Sequence, residues 1–410
     1  MAPLLEAANT FGTPLYVYNL DMVQKRLSIL SDLFGNRFGI SYAIKANPNP
    51  TLLAALQAGL STFDASSFAE VIAAIDAGMP AKQVTFSGPA KREAEIKGAI
   101  VAGVGELVVE SLTEAKRASS IAKERGVNQN ILVRINPLKL PRKFGASMGA
   151  TASQFGIDEE DLARDLPIIR DYPNLNLIGF HIYSGTNCLV PEAIAENFAI
   201  FADIFRAAQE ITGVKPKRLV FGSGFGIPYL PGEDALDHAA LPALINPIID
   251  DLLDGEAFNE TKCNLELGRW LVGPAGWLLT RVISEKHSRG VEVRTCDAGF
   301  NAHLAACGMM GSVIRRNWDF ENLSNAKGQT GRYMLTGPLC TSIDRLAMDI
   351  ELPKVSIADV LSIASSGAYG YSASPRGFIS HPEPREVVIE NGQLRDATPP
   401  LARIAAELVL

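Results

Sequence analysis

The chain has 410 residues, 47% of them hydrophobic and 20% charged, which is ordinary globular composition and excludes a disordered or fibrous polymer. Thirty-eight basic residues against 45 acidic ones leave a net charge of −7. That balance excludes nucleic acid and an anionic membrane surface as partners, while still allowing a local pocket for one small anion.

In chain order, residues 13–18 (TPLYVY) read as a first strand. Eight apolar, β-rich runs follow at Gly39–Ile44, Ser61–Asp64, Val84–Ser87, Glu106–Glu110, Ile131–Ile135, Leu177–Ile182, Arg218–Phe221 and Cys263–Glu266. Helical periodicity fills most of the gaps, as at Ser67–Ala77, Glu93–Ala102, Leu112–Arg125 and Ala193–Ile211. Eight strand-then-helix units predict an α/β fold, a (β/α)8 barrel over residues 26–270, since crossover helices favour parallel pairing and eight strands can close.

Beyond about residue 270 the spacing changes. Runs at Gly276–Ser284, Glu292–Asp297, Tyr333–Thr336, Val360–Ala364 and Glu386–Glu390 predict a mostly antiparallel β domain over 271–410, which the N-terminal segment 1–25 would join.

Residues 1–9 lack the basic-then-apolar pattern of a signal peptide, and the most apolar stretch, 270–283, is too short for a membrane span and is interrupted by Gly273, Pro274 and Gly276. The cysteines, Cys188, Cys263, Cys296, Cys307 and Cys340, are odd in number and form no CxxC pair. No disulfide scaffold or zinc ribbon is expected, and a cytoplasmic location fits. His181, His238, His287, His303 and His381 are scattered without HxxxH spacing, so no metal site is expected.

Barrel enzymes build their sites at the C-terminal ends of the strands. Here those ends carry Lys45, Asp64, Ser87, Glu110, Asn136, His181 followed by Ser184, the glycine-rich loop 222–226, and Glu266 followed by Gly268 and Arg269. A lysine ending a buried strand can become a nucleophilic amine, or it can be a surface lysine. The loop 222–226 (GSGFG) can leave backbone N–H groups free for an anion, or can be a tight turn. Glu266 can hold a pyridinium nitrogen protonated, or can pair with Arg269. His181 can be a hydrogen-bonded core histidine. Cys340, in 337–344 (GPLCTSID), is a proton donor or a buried structural thiol, and Tyr369 is a ligand or a core tyrosine at a bend.

Taken jointly and in order, the motifs TPLYVY (13–18), YAIKAN (42–47), FDAS (63–66), QFGI (154–157), GSGFGI (222–227), ELGR (266–269), DAG (297–299), GPLCTSID (337–344) and GAYGY (367–371) cover the chain almost end to end. On these the chain resembles the pyridoxal-phosphate decarboxylases built on an alanine-racemase-like barrel, which include diaminopimelate and ornithine decarboxylases. The resemblance implies pyridoxal 5'-phosphate as cofactor, carried by Lys45 as a Schiff base. Asp64, His181, Ser184, Gly224, Phe225, Gly226, Glu266, Gly268, Arg269 and Tyr369 would line its site, with His181 stacked on the ring, Glu266 on the ring nitrogen, and the glycine loop and Tyr369 on the phosphate. Arg269, Cys340, Thr341, Asp344 and Tyr369 would meet the substrate. Cys340 and Asp344 would do so in the partner subunit, which makes a homodimer obligatory.

The chain departs from the diaminopimelate branch. Leu267 stands for the proline of EPGR, Thr341 for the glutamate of CESxD, Tyr183 for the glycine of HIGS, and 380–384 (SHPEP) lacks the tail's arginines. Loss of a carboxylate facing a buried ammonium costs roughly 2–5 kcal/mol. The run 181–186 (HIYSGT), Met148-Gly149 ahead of QFGI, 337–341 (GPLCT) and 378–384 (FISHPEP) are closer to decarboxylases of siderophore, antibiotic and exopolysaccharide clusters. Those act on modified amino acids, including conjugated or carrier-bound ones. The alternatives are meso-diaminopimelate decarboxylation, amino-acid racemisation, and a non-catalytic cofactor- or protein-binding homologue. Racemisation fits poorly, because related racemases place a weakly acidic arginine where Glu266 would sit.

Overall fold

The computed structural model describes residues 2–35, 37–141, 146–147, 149–309 and 316–399. Met148, in the Met148-Gly149 pair named above, and the C-terminal residues from 400 on lie outside the described residues. The chain divides into two units, one of Arg26–Gly226 with Ala235–Gly268, the other of Met1–Lys25, Ile227–Asp234 and Arg269–Pro400. Residues 227–234, inside the span read as barrel, belong to the second unit.

In the first unit eight parallel strands close on themselves. They are β1 (Phe38–Ala43), β2 (Thr62–Ala65), β3 (Val84–Phe86), β4 (Glu106–Val109), β5 (Gln129–Asn136), β6 (Leu175–Ile182), β7 (Arg218–Gly222) and β8 (Lys262–Leu267). Each pairs with the next, and β8 returns to β1 with Cys263 opposite Phe38 and Leu267 opposite Tyr42. The eight runs read from the sequence are all present, so the barrel expectation holds.

Alternation along the strands sorts their side chains. Val108, Leu132, Ile178 and Val220, from four successive strands, pack together as one apolar cluster. Phe221, the next residue after Val220, turns the other way. Its ring lies 5.2 Å from Phe198, 5.1 Å from Phe205, 6.2 Å from Phe201 and 5.7 Å from Phe38. Phe198, Phe201 and Phe205 fall at i, i+3 and i+7 of the helix Pro191–Thr212, so one helical stripe meets one strand. The helix Leu112–Arg125 shows how ends are set: the Ser111 hydroxyl accepts the Glu114 N–H at 3.2 Å, and Gly126 stops it in the left-handed region.

The second unit is a mostly antiparallel sheet in the order Arg345–Pro353, Thr330–Thr336, Val291–Cys296, Gly276–Ser288, Leu15–Asn19, Arg385–Glu390 and Gln393–Asp396. Val360–Ile363 also pairs with Gly276–Ser288. The N-terminal strand sits in the middle, antiparallel to Gly276–Ser288 and parallel to Arg385–Glu390. Leu15 and Val17 join the core with Leu279, Val360 and Val387, while Tyr16 and Tyr18 face the other way and donate hydrogen bonds to the Ala302 carbonyl and Glu386. Among the described residues no helix is long and apolar enough to cross a membrane.

Phe221→Ala would empty the meeting point of five rings and should cost about 3–5 kcal/mol in urea unfolding. A loss below about 1 kcal/mol would contradict this packing.

Candidate active site

Strand β1 runs straight into a single 3-10 turn, Ile44–Ala46, that carries Lys45. Gly268, just past β8, allows this close approach: a Cβ there would lie 2.6 Å from the Ala46 Cβ and 3.2 Å from the Ala43 carbonyl oxygen. Asp64 sits on β2, His181 on β6 and Glu266 on β8, and all three are buried. His181 Nε2 and Glu266 Oε2 are 2.8 Å apart, while His181 Nδ1 has no hydrogen-bond partner. Thus His181, not Arg269, is the partner that holds Glu266. Burial raises the Glu266 pKa, but His181, Lys45 and Arg134 outweigh it and hold the carboxyl at about 2. Glu266 is therefore an anion inside the barrel.

Asp64 is the opposite case. Neither carboxylate oxygen has a hydrogen-bond partner, and its pKa is pushed up well above 3.8 by burial and by the Glu266 charge, against the pull of Lys45 and Ser87. Two buried acids are thus driven apart by their surroundings, an arrangement typical of functional sites.

The loop after β7 is tightly cradled. A Cβ on Gly222 would meet Tyr183 Cδ2 at 2.4 Å, and one on Gly226 would meet the Asn187 carbonyl carbon at 2.7 Å. Gly224 has φ +66°, which favours glycine. Most N–H groups of this loop are engaged, where the sequence left either a free set of donors or a tight turn open. Ser223 N–H donates to the Glu266 carbonyl (2.9 Å), Phe225 N–H to the Ser223 hydroxyl (3.3 Å) and Gly226 N–H to the Cys188 carbonyl (2.9 Å). The Gly224 N–H makes no such bond among the described residues. Ser184 is buried and bonds Asn197 Oδ1 at 3.0 Å.

Three further charged residues lie near these strand ends: Glu110 just past β4, Arg134 within β5 and Glu70 in the first turn of the helix after β2. Glu110 accepts from Arg134 (3.2 Å), from the Gly88 N–H (3.0 Å) and from the Gly156 N–H (2.9 Å), so it fastens the QFGI loop to the barrel mouth. Arg134 also stacks on Phe155, 4.4 Å from the ring centroid. Glu70 accepts the Ser66 N–H at 2.7 Å, and burial raises its pKa against that bond and the Lys45 charge. Sequence reading assigned Arg134 and Glu70 no role. Glu70 was concealed by its position, since Ser67 and Glu70 have the spacing of a capping box and Ser67 does cap the helix Phe68–Asp76.

In the second unit Arg269 donates to the Tyr229 hydroxyl, and its guanidinium lies 4.8 Å from the Tyr369 ring centroid and 5.5 Å from that of Tyr229. Tyr369 holds a left-handed backbone at φ +55°, strain that a non-glycine residue rarely carries. It is half-buried and packed against a cation, so neither a plain core tyrosine nor a plain bend describes it. Tyr229 is a partner that sequence reading missed. Cys340 is exposed, unlike the four buried cysteines, so the reading of it as a buried structural thiol does not hold. Asp344, read as a substrate ligand, is buried, with Oδ1 accepting the Phe300 N–H and Oδ2 the Leu339 N–H, each at 2.8 Å.

The closed parallel barrel thus puts an amine, a buried anion, a histidine and a glycine cradle at its strand ends, where barrel enzymes build their sites. The family model described as "Pyridoxal-dependent decarboxylase, pyridoxal binding domain" matches residues 20–273. The chain belongs to this family, and it is a pyridoxal-phosphate-dependent amino-acid decarboxylase, a carboxy-lyase. It is 29% identical over 395 residues to the L-glutamyl-[BtrI acyl-carrier protein] decarboxylase of Niallia circulans, covering 95% of this chain and 92% of that one. It is 31% identical over 406 residues to a diaminopimelate decarboxylase of Methanothermobacter thermautotrophicus, covering 96% and 90%. The 2-[(L-alanin-3-ylcarbamoyl)methyl]-2-hydroxybutanedioate decarboxylase of Staphylococcus aureus is 24% identical over 396 residues, covering 94% and 97%. Among solved structures, a diaminopimelate decarboxylase from M. jannaschii superposes with a TM-score of 0.87 at 26% identity, covering 96% of this chain and 91% of that one.

The pair of buried acids yields a stability test. Asp64 is ionised more readily unfolded than folded, so its charge costs stability at neutral pH, and the cost vanishes once both states are protonated, below about pH 4. Asp64→Asn should therefore stabilise the cofactor-free chain by about 1–3 kcal/mol at pH 7, with the gain fading toward pH 4. A variant less stable than wild type at pH 7 in denaturant melts would contradict this.

Proposed function

We propose that the chain removes the α-carboxylate of a modified or conjugated amino acid, free or carrier-bound, in a specialised biosynthetic pathway. One observation carries the substrate reading. The loop 337–344 has Asp344 as its sole acid, and both oxygens of that acid are taken by backbone N–H groups, while Thr341 stands where the diaminopimelate branch has a glutamate. No outward carboxylate is left on this loop for a distal ammonium. The relatives acting on a carrier-bound glutamyl group and on a citrate-like conjugate support the same reading.

The residues present fit pyridoxal phosphate: His181 Nδ1 and both Asp64 oxygens are orphaned inside the barrel, and the glycine loop after β7 tolerates no side chain at Gly222 or Gly226. When bound, the group supplies an electron sink for the pair left on Cα as CO2 departs. Lys45 carries it through Nζ and moves a proton at that atom. Glu266, anionic at a pKa of about 2, would hold the ring nitrogen protonated, and His181 would lie against the ring. The Gly224 N–H and Ser184, with Tyr369, would take the phosphate, Phe225 and Gly226 would shape the loop around it, and Gly268 keeps the Lys45 turn close. Arg269, fixed by Tyr229 and Tyr369, binds a carboxylate. Cys340, exposed beside Thr341, donates a proton from Sγ in the site of a partner subunit, which makes the active form a homodimer. Five cysteines without a disulfide support a cytoplasmic location.

Lys45→Ala should abolish the cofactor's absorbance band and all CO2 release; full activity would overturn the role of Lys45. For the substrate, the wild-type protein should release CO2 from carrier-bound glutamate or citryl-conjugated amino acids in a panel that also holds diamino and acidic amino acids. Turnover of meso-diaminopimelate alone would reverse the assignment.

A further inference from the structure

Tyr183 follows β6 two residues after His181, where the diaminopimelate branch has a glycine. Alternation puts the two on the same side of the chain, with the buried Ile182 turned away. The Lys45 Nζ lies over the Tyr183 ring, 5.3 Å from its centroid, within the ~6 Å reach of a cation–π contact. The ring is held there from two sides. Gly222 on the neighbouring strand is so close that a Cβ would lie 2.4 Å from Tyr183 Cδ2 and 2.8 Å from its Cα. Ser184, the next residue, is tied to Asn197 at 3.0 Å. Among the charged groups that act on Lys45 are Asp64 from β2, Glu70 from the helix Phe68–Asp76 and Glu266 from β8, the last bonded to His181. A phenol face favours an ammonium without adding another buried charge.

We propose that Tyr183 is a positioning residue for Lys45, its ring face holding the Nζ ammonium so that the proton stays at that atom whenever the amine is not covalently engaged. This rests on the reading of Lys45 as the reactive amine, but it is read out without turnover. The measurement is acetic anhydride labelling of Lys45 in the full-length, cofactor-free protein as a function of pH, quantified by peptide mass, since only the neutral amine reacts. Tyr183→Leu removes the ring face at similar bulk. It should move the labelling midpoint down by about 0.5–1 pH unit, a three- to tenfold faster reaction below the midpoint, with an unchanged plateau at high pH. Tyr183→Phe keeps the face and should label as wild type does. A Leu variant with the wild-type midpoint, a change confined to the plateau, or a Phe variant that behaves like Leu overturns the proposal. Melting curves identify a variant that does not fold, in which case Tyr183→Met carries the same comparison. A shifted midpoint in a protein that never binds pyridoxal phosphate would uphold the Tyr183 contact while refuting the cofactor reading.

Discussion

Everything at the site depends on closure of the eight-stranded sheet. Pairing of β8 with β1 sets Glu266 opposite Ser41, and pairing with β7 sets it opposite Gly222. Pairing of β6 with β5 and β7 sets His181 opposite Arg134 and Val220. Residues far apart in the chain are thereby fixed by backbone ladders at one end of one barrel. Loops alone could not hold ionisable groups there, since taking charges out of water is costly unless their partners are already in place.

The resulting electrostatics are uneven by construction. Glu266 is buried yet anionic, because His181, Lys45 and Arg134 surround it. Asp64 is buried beside the Glu266 charge, so its acid strength falls. Glu110 and Arg134 satisfy one another and clamp Gly156. A site of this kind keeps a fixed negative charge where a cationic ring nitrogen can be held, beside an amine that can carry a proton.

The barrel was legible from the sequence because eight β-rich runs and their helical spacers repeat, and each run ends in, or within two residues of, a polar or glycine residue. That position marked Lys45, His181 and Glu266 as candidates with a bland reading beside each, and their roles came from the family resemblance. What was not legible follows from packing across long separations. The helices Leu20–Phe34, Leu162–Arg170 and Leu241–Leu253 went unnamed; Pro167 and Pro247 lie inside the last two. Arg134 lies within an apolar strand and reads as ordinary until its neighbour proves to be Glu110. Tyr229 takes its meaning from Arg269, forty positions away. The engagement of the N–H groups after β7 depends on Cys188 and on the Glu266 carbonyl, neither of which the GSGFG motif reveals.

The central claim is that Lys45, brought beside Glu266 by barrel closure, is the amine that holds pyridoxal phosphate. The direct measurement is borohydride reduction of the purified protein with the cofactor, followed by peptide mass mapping. The account predicts one stoichiometric phosphopyridoxyl adduct, on the peptide containing Lys45. An adduct on another lysine, or none on a protein that still releases CO2 from its substrate, would contradict it.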